Sequence, residues 1–350
     1  MVLLLKRKLE FLGNEVIECQ EDVDISLDNI NIFSIMKSYV KLFFKHRKIV
    51  YDLVVIPLWW GAIQLPLLKL ISRKPILYYA YVSPYDELVN DRKKVKSKSF
   101  IARIFYAFEK YCWKNSDIII KESQAEIDYY VKLFGINKKK FRRLFIGADE
   151  LKFPSCPFKE PQNIFVVLFF GTFIPLHGIE KIIEAAKIMS AQSDIFFKFC
   201  GDGQTKNKIE SMVRNYKLKN VEFLGFVSHE ILLKNIRESD VCLGIFGDSN
   251  KASYVITNKV YQILCSQKPL ITMESNAINE INLINDQNCL LVPKDEPQKL
   301  AEAILYLKSN VAKRKEIALA SRKLYIENLS MEKTSNQLSN YLEELKQSEK

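Results

Sequence analysis

The sequence lacks the cysteine and histidine patterns of a metalloprotein or a disulfide-bonded secreted protein. Its seven cysteines form no C-x-x-C pair, and the 350-residue chain has only three histidines. Several cysteines lie inside apolar segments, so we expect buried free thiols in a reducing compartment. The spacing also does not match a metal site, and we expect neither a metal nor a cofactor.

Long unbroken apolar segments are also missing. The apolar residues Met1–Leu5 are followed at once by Lys6, Arg7 and Lys8, which is too short for a signal peptide. The segment 53–71 approaches the length of a membrane span, but prolines, a glycine and a lysine interrupt it. A strand followed by a short helix fits this pattern better, and we expect a cytoplasmic protein.

The composition is that of a globular protein with two cores. The chain is 48% hydrophobic and 27% charged, and its length suits two domains of roughly 150 residues each. Of the net charge of +11, residues 1–150 carry +8 (26 Lys and Arg against 18 Asp and Glu), and the rest carry +3 (26 against 23). The basic first half is expected to attract an anionic partner.

The second half alternates between strands and helices, which is typical of a doubly wound parallel sheet. Strands are predicted at 164–170, 195–200, 221–224, 241–246, 269–273 and 289–292. Helices are predicted at 179–190, 204–217, 229–239, 258–266, 276–284 and 296–308. Three prolines interrupt the segment 150–163, which we interpret as a linker. The predicted domains are 1–155 and 156–330, followed by a C-terminal amphipathic helix at 331–350 with an apolar face of Leu338, Leu342 and Leu345.

The first half alternates less regularly. Strands are predicted at 16–19, 53–56, 76–82, 118–120 and 143–146, and helices at 3–13, 101–114 and 123–134. A doubly wound domain normally opens with a strand and a Gly-rich turn, and neither precedes the helix at 3–13. Either the first domain begins upstream of this sequence, or its first loop is reduced.

Two strand–loop–helix corners in the second half predict a phosphate site. One runs from the strand 164–170 into the loop Gly171–Gly178, and the other from Thr257 into the helix 258–266. A helix start presents unpaired N–H groups and the positive end of the helix dipole. Thr257 is a candidate N-cap, which leaves Asn258 and the next amides for phosphate. Lys259 either adds a positive charge there or is a solvated helix residue.

A series of motifs then narrows the fold. After the loop Gly171–Gly178 come Gly201-Asp202-Gly203, Phe223-Leu224-Gly225-Phe226, Ser239-Asp240-Val241 and Asn258-Lys259-Val260-Tyr261. This series resembles the retaining glycosyltransferases of family 4, the group 1 glycosyltransferases. The resemblance implies an α/β GT-B fold of two Rossmann-like doubly wound domains that face each other across a cleft. It also implies a nucleotide-sugar donor bound by the second domain, a glycan or lipid-linked acceptor bound by the first, and retaining transfer.

The resemblance also implies the donor-site residues. Gly171, Thr172, Gly201, Phe226, Thr257, Asn258 and Gln262 are expected to bind the donor, with His177 and Lys259 as catalytic candidates. The family has an arginine at Thr172 and often a lysine at His177, and the histidine is either a donor group or structural. The family's paired glutamates align with Tyr254 and Gln262, of which the glutamine can still bond ribose hydroxyls. These departures leave open an alternative, a non-catalytic sugar-nucleotide-binding partner of another transferase.

On the first domain, Asp86 follows the predicted strand 76–82. The resemblance implies a polar residue against the sugar at this place, so Asp86 is a third catalytic candidate. A carboxylate there could orient the acceptor hydroxyl or act as a weak base. The structural alternative is an N-cap for the next short helix.

A basic run, Arg92–Lys98, precedes a helix with an apolar stripe. The stripe consists of Ile101, Ile104, Phe105, Phe108 and Cys112. It either attaches the basic first half to the surface of a membrane or is the core face of a helix flanked by solvated charge. No nucleic-acid-binding motif accompanies the charge, so we expect no nucleic-acid partner.

Overall fold

The computed structural model describes residues 2–19, 39–45, 48–57 and 61–347, which form two compact units. Unit 1 comprises Met1–Glu122, Glu126–Leu144 and Ser335–Lys350, and unit 2 comprises Ser123–Ala125 and Phe145–Thr334. The change of unit at 144/145 lies ten residues or so before the expected boundary at 155. The linker segment around Pro154, Pro157 and Pro161 is irregular, as expected from its prolines.

Unit 1 contains a four-stranded sheet in which each strand pairs in parallel with the next. Its strands, in sheet order, are β1 (Val54–Pro57), β2 (Ile76–Tyr79), β3 (Ile118–Lys121) and β4 (Phe141–Arg143). The strands predicted at 53–56, 76–82 and 118–120 are confirmed, while the one predicted at 143–146 starts earlier and ends at Arg143. The strand predicted at 16–19 is wrong. Its Ile17 and Glu18 are exposed, and no strand within the described ranges pairs with it.

The helices of unit 1 cover this sheet. They are Val2–Phe11, 39–45, Leu65–Ile71, Phe100–Asn115, most of Gln124–Phe134, and Met331–Gln347. An aromatic cluster fills the core, where the buried ring of Trp113 lies 4.9 Å from those of Tyr130 and Phe134 and 5.6 Å from that of Phe141. The cluster packs the helices Phe100–Asn115 and Gln124–Phe134 against β4 and so holds this part of the unit together.

The C-terminal helix Met331–Gln347 packs mainly within unit 1. Its predicted apolar face is confirmed, since Leu338, Leu342 and Leu345 are all buried. Polar bonds fix its position, because Gln337 Nε2 and the Tyr341 hydroxyl donate to the Arg143 carbonyl at 2.8 and 2.7 Å. Residues far apart in the sequence thus complete one core. The last three residues of the predicted helix lie outside the described ranges.

Unit 2 contains a six-stranded parallel sheet of order β10-β9-β8-β5-β6-β7. Its strands are β5 (Phe165–Phe170), β6 (Ile195–Cys200), β7 (Val221–Gly225), β8 (Val241–Leu243), β9 (Leu270–Met273) and β10 (Leu290–Val292). Read from β7, this is the 3-2-1-4-5-6 order of a dinucleotide-binding Rossmann sheet. The order of the strands reverses between β5 and β8, so the ligand crevice is expected at the carboxyl ends of these two strands.

The helices of unit 2 follow the predicted alternation. They are Ile179–Ile188, Lys206–Asn215, His229–Glu238, Lys251–Tyr254, Asn258–Cys265, Asn276–Asn279, Pro297–Ser309 and Val311–Asn328. The helix predicted at 276–284 stops at Asn279, and Asn282 then takes a left-handed conformation with φ of 59°. Among all the described helices, none is both long and apolar enough to cross a bilayer. The cysteines are unpaired, and all but Cys19 are buried.

We expect the substitution Leu338→Ala to destabilise unit 1 by about 2–5 kcal/mol, because it opens a cavity where the C-terminal helix meets the core. Asn340→Ala is the matched control, since Asn340 lies exposed on the same helix. Urea unfolding of both variants measures the difference. An equal effect of the two substitutions would show that the helix is not part of the core.

Candidate functional site

The carboxyl ends of β5, β6 and β7 bring three glycines to one edge of the unit 2 sheet. Gly171 follows β5, Gly201 follows β6, and Gly225 ends β7. Hydrogen bonds link them in series. The Gly171 amide donates to the Cys200 carbonyl at 2.9 Å, and the Gly201 amide donates to the Gly225 carbonyl at 2.7 Å. The loops therefore continue the hydrogen-bond pattern of the sheet, which fixes the distances between neighbouring loops.

The loop after β5 packs directly on the loop after β6. The Phe173 amide donates to the Asp202 carbonyl at 2.9 Å. Gly171 and Gly201 have φ angles of 139° and 141°, a region that favours glycine. A Cβ atom on Gly201 would overlap the carbonyl of Gly171. The backbone approach between the loops thus depends on glycine.

Phenylalanine rings support these loops from beneath. Phe199 lies between Phe169 and Phe223, with ring centroids 5.9 and 5.3 Å away, and Phe173 completes the group at 6.2 Å from Phe169. Phe169, Phe173 and Phe199 are fully buried. This apolar layer limits the water available to any polar group placed among the rings.

Lys259 is such a polar group. It lies in the first turn of the helix Asn258–Cys265 and is only 4% exposed. Its Nζ lies 3.7 Å from the centroid of the Phe169 ring and has no hydrogen-bond partner among the described residues. A Cβ atom on Gly171 would stand 3.0 Å from Nζ, so the amine lies against the Gly171 backbone. The interpretation of Lys259 as a solvated helix residue is therefore wrong.

The environment of Lys259 is unfavourable for its charge. Burial lowers the pKa of the Lys259 amine well below its ordinary value. A buried polar group without a partner costs about 1–3 kcal/mol, which the Phe169 ring offsets only in part through cation–π attraction. A buried amine with a lowered pKa beside a glycine loop makes this place a candidate ligand site.

The start of the same helix adds further groups for an anion. Thr257 has the extended backbone of an N-cap, but its hydroxyl makes no capping bond and is buried without a partner in the described part of the chain. Asn258 and Gln262 are four residues apart and are less buried than the rest of the helix. They therefore share its accessible face, adjoining the turn that carries Lys259.

His177 holds the loop after β5. Its Nδ1 forms a short hydrogen bond to the Thr172 carbonyl, so Nδ1 carries the hydrogen because a carbonyl only accepts. The ring is 7% exposed and packs edge-on against Phe169 at 5.7 Å. Gly178 then turns into the next helix with φ of 59°. These contacts give His177 a positioning role in the loop, while its catalytic role stays a prediction.

Phe226 follows Gly225 at the same edge of the sheet and is 78% exposed. An apolar ring left in water next to a polar loop is suited to stacking on a flat ligand group. The structure thus brings together the predicted residues of the Gly171 loop with Gly201 and Lys259, and it places Phe226 on a neighbouring strand end.

Asp86 lies in unit 1, at the start of a π-helical turn, Asp86–Asp91. It is 1% exposed, and its carboxylate accepts hydrogen bonds from Tyr129 at 2.7 Å, Asn90 at 3.0 Å and Tyr130 at 3.2 Å. The Asp86 amide donates a hydrogen bond to the Ser83 hydroxyl at 3.1 Å. Asp86 is therefore not the N-cap of this turn, and its role toward an acceptor stays a prediction.

The sequence analysis missed Glu109, which supports the Asp86 loop from the buried side of the helix Phe100–Asn115. Its Oε2 accepts bonds from the Ser83 hydroxyl at 2.9 Å and the Tyr85 amide at 3.2 Å. Burial raises the pKa of Glu109 to about 8. Its position in the sequence could have indicated its burial, because Glu109 is seven residues after Ala102 and three before Cys112. This spacing places all three on the buried face of the helix.

Comparisons with known proteins agree with this geometry. Residues 164–310 match the family model for Glycosyl transferases group 1. The chain resembles the group 1 glycosyltransferases. An uncharacterized glycosyltransferase of Methanocaldococcus jannaschii is 33% identical over 150 residues, which are 43% of this chain and 40% of that protein. The chain thus matches less than half of that curated relative.

Solved structures establish the fold. Sucrose-phosphate synthase from Thermosynechococcus elongatus superposes with a TM-score of 0.70 at 20% identity, over 91% of this chain and 81% of that one. The Anabaena protein HepE in complex with UDP superposes with a TM-score of 0.68 at 15% identity, over 88% and 82% of the two chains. The predicted GT-B fold class is confirmed. Among the described residues, no group of three or more histidine, cysteine or acidic side chains could hold a metal ion.

We expect Gly201→Ala to disrupt the paired loops of the candidate site, because its methyl group would overlap the Gly171 carbonyl. Gly225→Ala is the matched control. Gly225 also has a positive φ, 66°, but a Cβ atom there meets nothing within 4 Å. The free energy of unfolding of the control should fall by only about 1 kcal/mol because of backbone strain, and that of Gly201→Ala should fall clearly more. Equal unfolding midpoints in urea would contradict the close packing of the loops.

We expect Lys259→Met to stabilise the ligand-free protein by about 1–3 kcal/mol, because it removes an unpaired buried amine at nearly constant volume. The gain should depend on pH. The lysine pKa is lowered in the folded state, so unfolding takes up a proton between the folded and the ordinary value, and stability rises with pH across that window. The advantage of the methionine variant should therefore shrink between about pH 8 and about pH 10, toward the ordinary lysine pKa.

Urea unfolding across this pH range measures that difference. Lys187→Met is the control, since Lys187 also lies over an aromatic ring, 4.3 Å from the Tyr216 centroid, but is exposed. A methionine variant that is less stable than the parent at about pH 8 would contradict the view that the buried amine of Lys259 destabilises the folded protein.

Proposed function

We propose that this chain is a glycosyltransferase that moves a sugar from a nucleotide-sugar donor to a glycan or lipid-linked acceptor, with retention at the anomeric carbon. One observation carries the proposal, namely the buried unpaired amine of Lys259 against the Gly171 loop, in the first turn of a helix. A diphosphate is the group of a nucleotide sugar that supplies what this amine lacks.

The diphosphate binds where three sources of positive potential meet. These are the Lys259 ammonium, the amides at the start of the helix Asn258–Cys265, and the Thr172 amide in the loop after β5, since the Gly171 amide is already bonded to the Cys200 carbonyl. Preorganised donors at a leaving group are worth several kcal/mol each when charge develops on it. Thr172 lacks the charge of the arginine that the resemblance implies, and Lys259 supplies a positive charge to the same loop.

The nucleoside is held by the neighbouring groups. The exposed ring of Phe226 stacks on the base, and the Gln262 amide bonds the ribose hydroxyls from the accessible face of the helix. HepE was crystallised with UDP, which makes uridine nucleotides the first probes to use. The buried unpaired cysteines fit a reducing compartment, which supports a cytoplasmic location.

The reaction exchanges one bond at the anomeric carbon for another on the same face of the sugar. The bond to the diphosphate oxygen breaks while the bond to the acceptor oxygen forms, and the acceptor proton passes to the departing diphosphate. Lys259 and the helix amides stabilise the charge on that diphosphate. Because they supply the positive charge, we expect the reaction to need no metal.

Calorimetry with UDP tests the donor site. We expect Lys259→Met to weaken UDP binding by about 10- to 100-fold, since one charge-assisted bond to phosphate contributes about 1.5–3 kcal/mol. The exposed control Lys187→Met should bind as the parent does. Affinity should also fall as pH rises above the lowered pKa of Lys259 in the free protein, because only the protonated amine attracts phosphate. Unchanged UDP affinity in Lys259→Met would contradict the assignment of the site.

Radiolabelled UDP-sugars mixed with a crude lipid and glycan extract test transfer. Label that moves into the extract with the parent, and not with Lys259→Met, would support the reaction. The stereochemistry of an isolated product, measured by NMR coupling constants, would test retention.

The second candidate is a non-catalytic sugar-nucleotide-binding partner of another transferase. Tyr254, which is buried, stands where the resemblance implies an acid, and the Asp86 carboxylate is already engaged by three side chains. UDP binding in calorimetry without turnover of any UDP-sugar, unchanged by Asp86→Ala, would favour this candidate over the enzyme.

A further inference from the structure

The helix Phe100–Asn115 has an apolar row that remains in contact with water. Phe100, Ile101, Ile104 and Tyr111 are 76%, 55%, 49% and 39% exposed. Phe100, Ile104 and Tyr111 share one face of the helix, because residues at i, i+4 and i+11 recur on one face, and Ile101 lies at the edge of that face. The other side, with Ala102, Glu109, Cys112 and Trp113, is buried in unit 1. The predicted apolar stripe is thus divided, with Cys112 in the core and Ile101 and Ile104 outside it.

Basic side chains flank this row. Lys93, Lys94, Lys96 and Lys98 are exposed just before the helix, and Arg103 and Lys114 are exposed along its edge. We refer to these six residues and the four exposed apolar ones together as the basic–apolar surface. The sole acidic residue between positions 92 and 115 is Glu109, which is 3% exposed. Every exposed charge on this segment is therefore positive.

Single exposed apolar residues are common and carry no inference. An apolar row beside a purely basic one is different, because the two together match a bilayer interface with anionic headgroups. The aliphatic and phenyl groups can enter the acyl boundary, while the tyrosine and the long lysines reach the headgroup phosphates. A nucleic acid would use the charges but would gain little from Ile101 and Ile104.

We propose that the basic–apolar surface docks unit 1 on an anionic lipid bilayer. Phe100, Ile101 and Ile104 enter the interface, and Lys94, Lys96 and Lys98 lie among the lipid phosphates. The docking is an interaction of unit 1 with lipid and does not depend on the proposed sugar transfer.

Co-sedimentation with vesicles tests this proposal without any nucleotide present. The protein should bind vesicles of phosphatidylcholine and phosphatidylglycerol in equal parts, bind pure phosphatidylcholine weakly, and be released by high salt. The variant Lys94→Glu/Lys96→Glu/Lys98→Glu should lower the partition coefficient by at least about 100-fold, since each lysine contributes about fivefold. Phe100→Ser/Ile101→Ser/Ile104→Ser should also lose binding.

The control is Leu151→Ser, which removes an apolar side chain that is 86% exposed in unit 2. It should bind as the parent does. A second measurement keeps the test decisive if the triple variants fold poorly. Phe100→Trp introduces a reporter on the surface, and its fluorescence should shift to shorter wavelength with the mixed vesicles only.

Several outcomes would overturn the proposal. These are equal binding to neutral and anionic vesicles, binding that the two triple variants retain, or an indole emission of the Phe100→Trp variant that vesicles do not change. A dimer in ultracentrifugation without lipid that Phe100→Ser/Ile101→Ser/Ile104→Ser dissociates would assign the surface to a second copy of the chain. Displacement of the vesicles by single-stranded DNA at low concentration would assign it to nucleic acid.

Discussion

The desolvated amine of Lys259 is the constraint on which the candidate site depends. It sits over the Phe169 ring and against the backbone of Gly171, with no partner among the described residues. A side chain at position 171 would collide with it, and water has little access between the phenylalanine rings. The glycine loop, the aromatic layer and the lysine therefore form one arrangement. Under the proposed function, an anion beside this amine offsets the unfavourable effect of its burial.

Strand order explains why these groups meet. The chain continues from β5 to β6 on one side and from β8 to β9 on the other, so the connections that follow β5 and β8 run in opposite directions along the sheet. Gly178 and the backbone of Phe246 are in close contact at this point, which a Cβ atom on Gly178 would prevent. The crevice is thus a consequence of topology, and the side chains around it determine what it binds.

Much of unit 2 could be predicted from its sequence because its first three strands each run into a glycine and several of its helices begin after a hydroxyl residue. The alternation predicted β5 to β7 almost to the residue, while the donor site expected at the corners of Gly171 and Thr257 stays a prediction. The burial of Lys259 could not be predicted, since a lysine in a first turn usually faces solvent and its contact with the Phe169 ring exists only in the folded chain.

The elements of unit 1 were harder to predict from the sequence. The segment at 16–19 has an apolar pattern but pairs with no strand in the described part of the chain, because pairing is not determined by a single segment. Likewise, the apolar face of Leu338 and Leu342 predicted that the C-terminal helix packs on a core. It did not predict which part of the chain forms that core.

The departures at Thr172, Tyr254 and Gln262 bear on how a ligand would be held. A site with an arginine and two glutamates spreads the binding free energy over several charged contacts, so the loss of one is tolerated. Here the described site has one buried amine, and the three positions of the departures carry a hydroxyl, a phenol and an amide. Neutral hydrogen bonds contribute about 0.5–1.5 kcal/mol each, while bonds to a charged group contribute about 1.5–3 kcal/mol. The charge-assisted share of phosphate binding then rests on Lys259, which is also the residue that destabilises the empty protein. Under the proposed function, the amine that opposes folding is also the group that selects an anion.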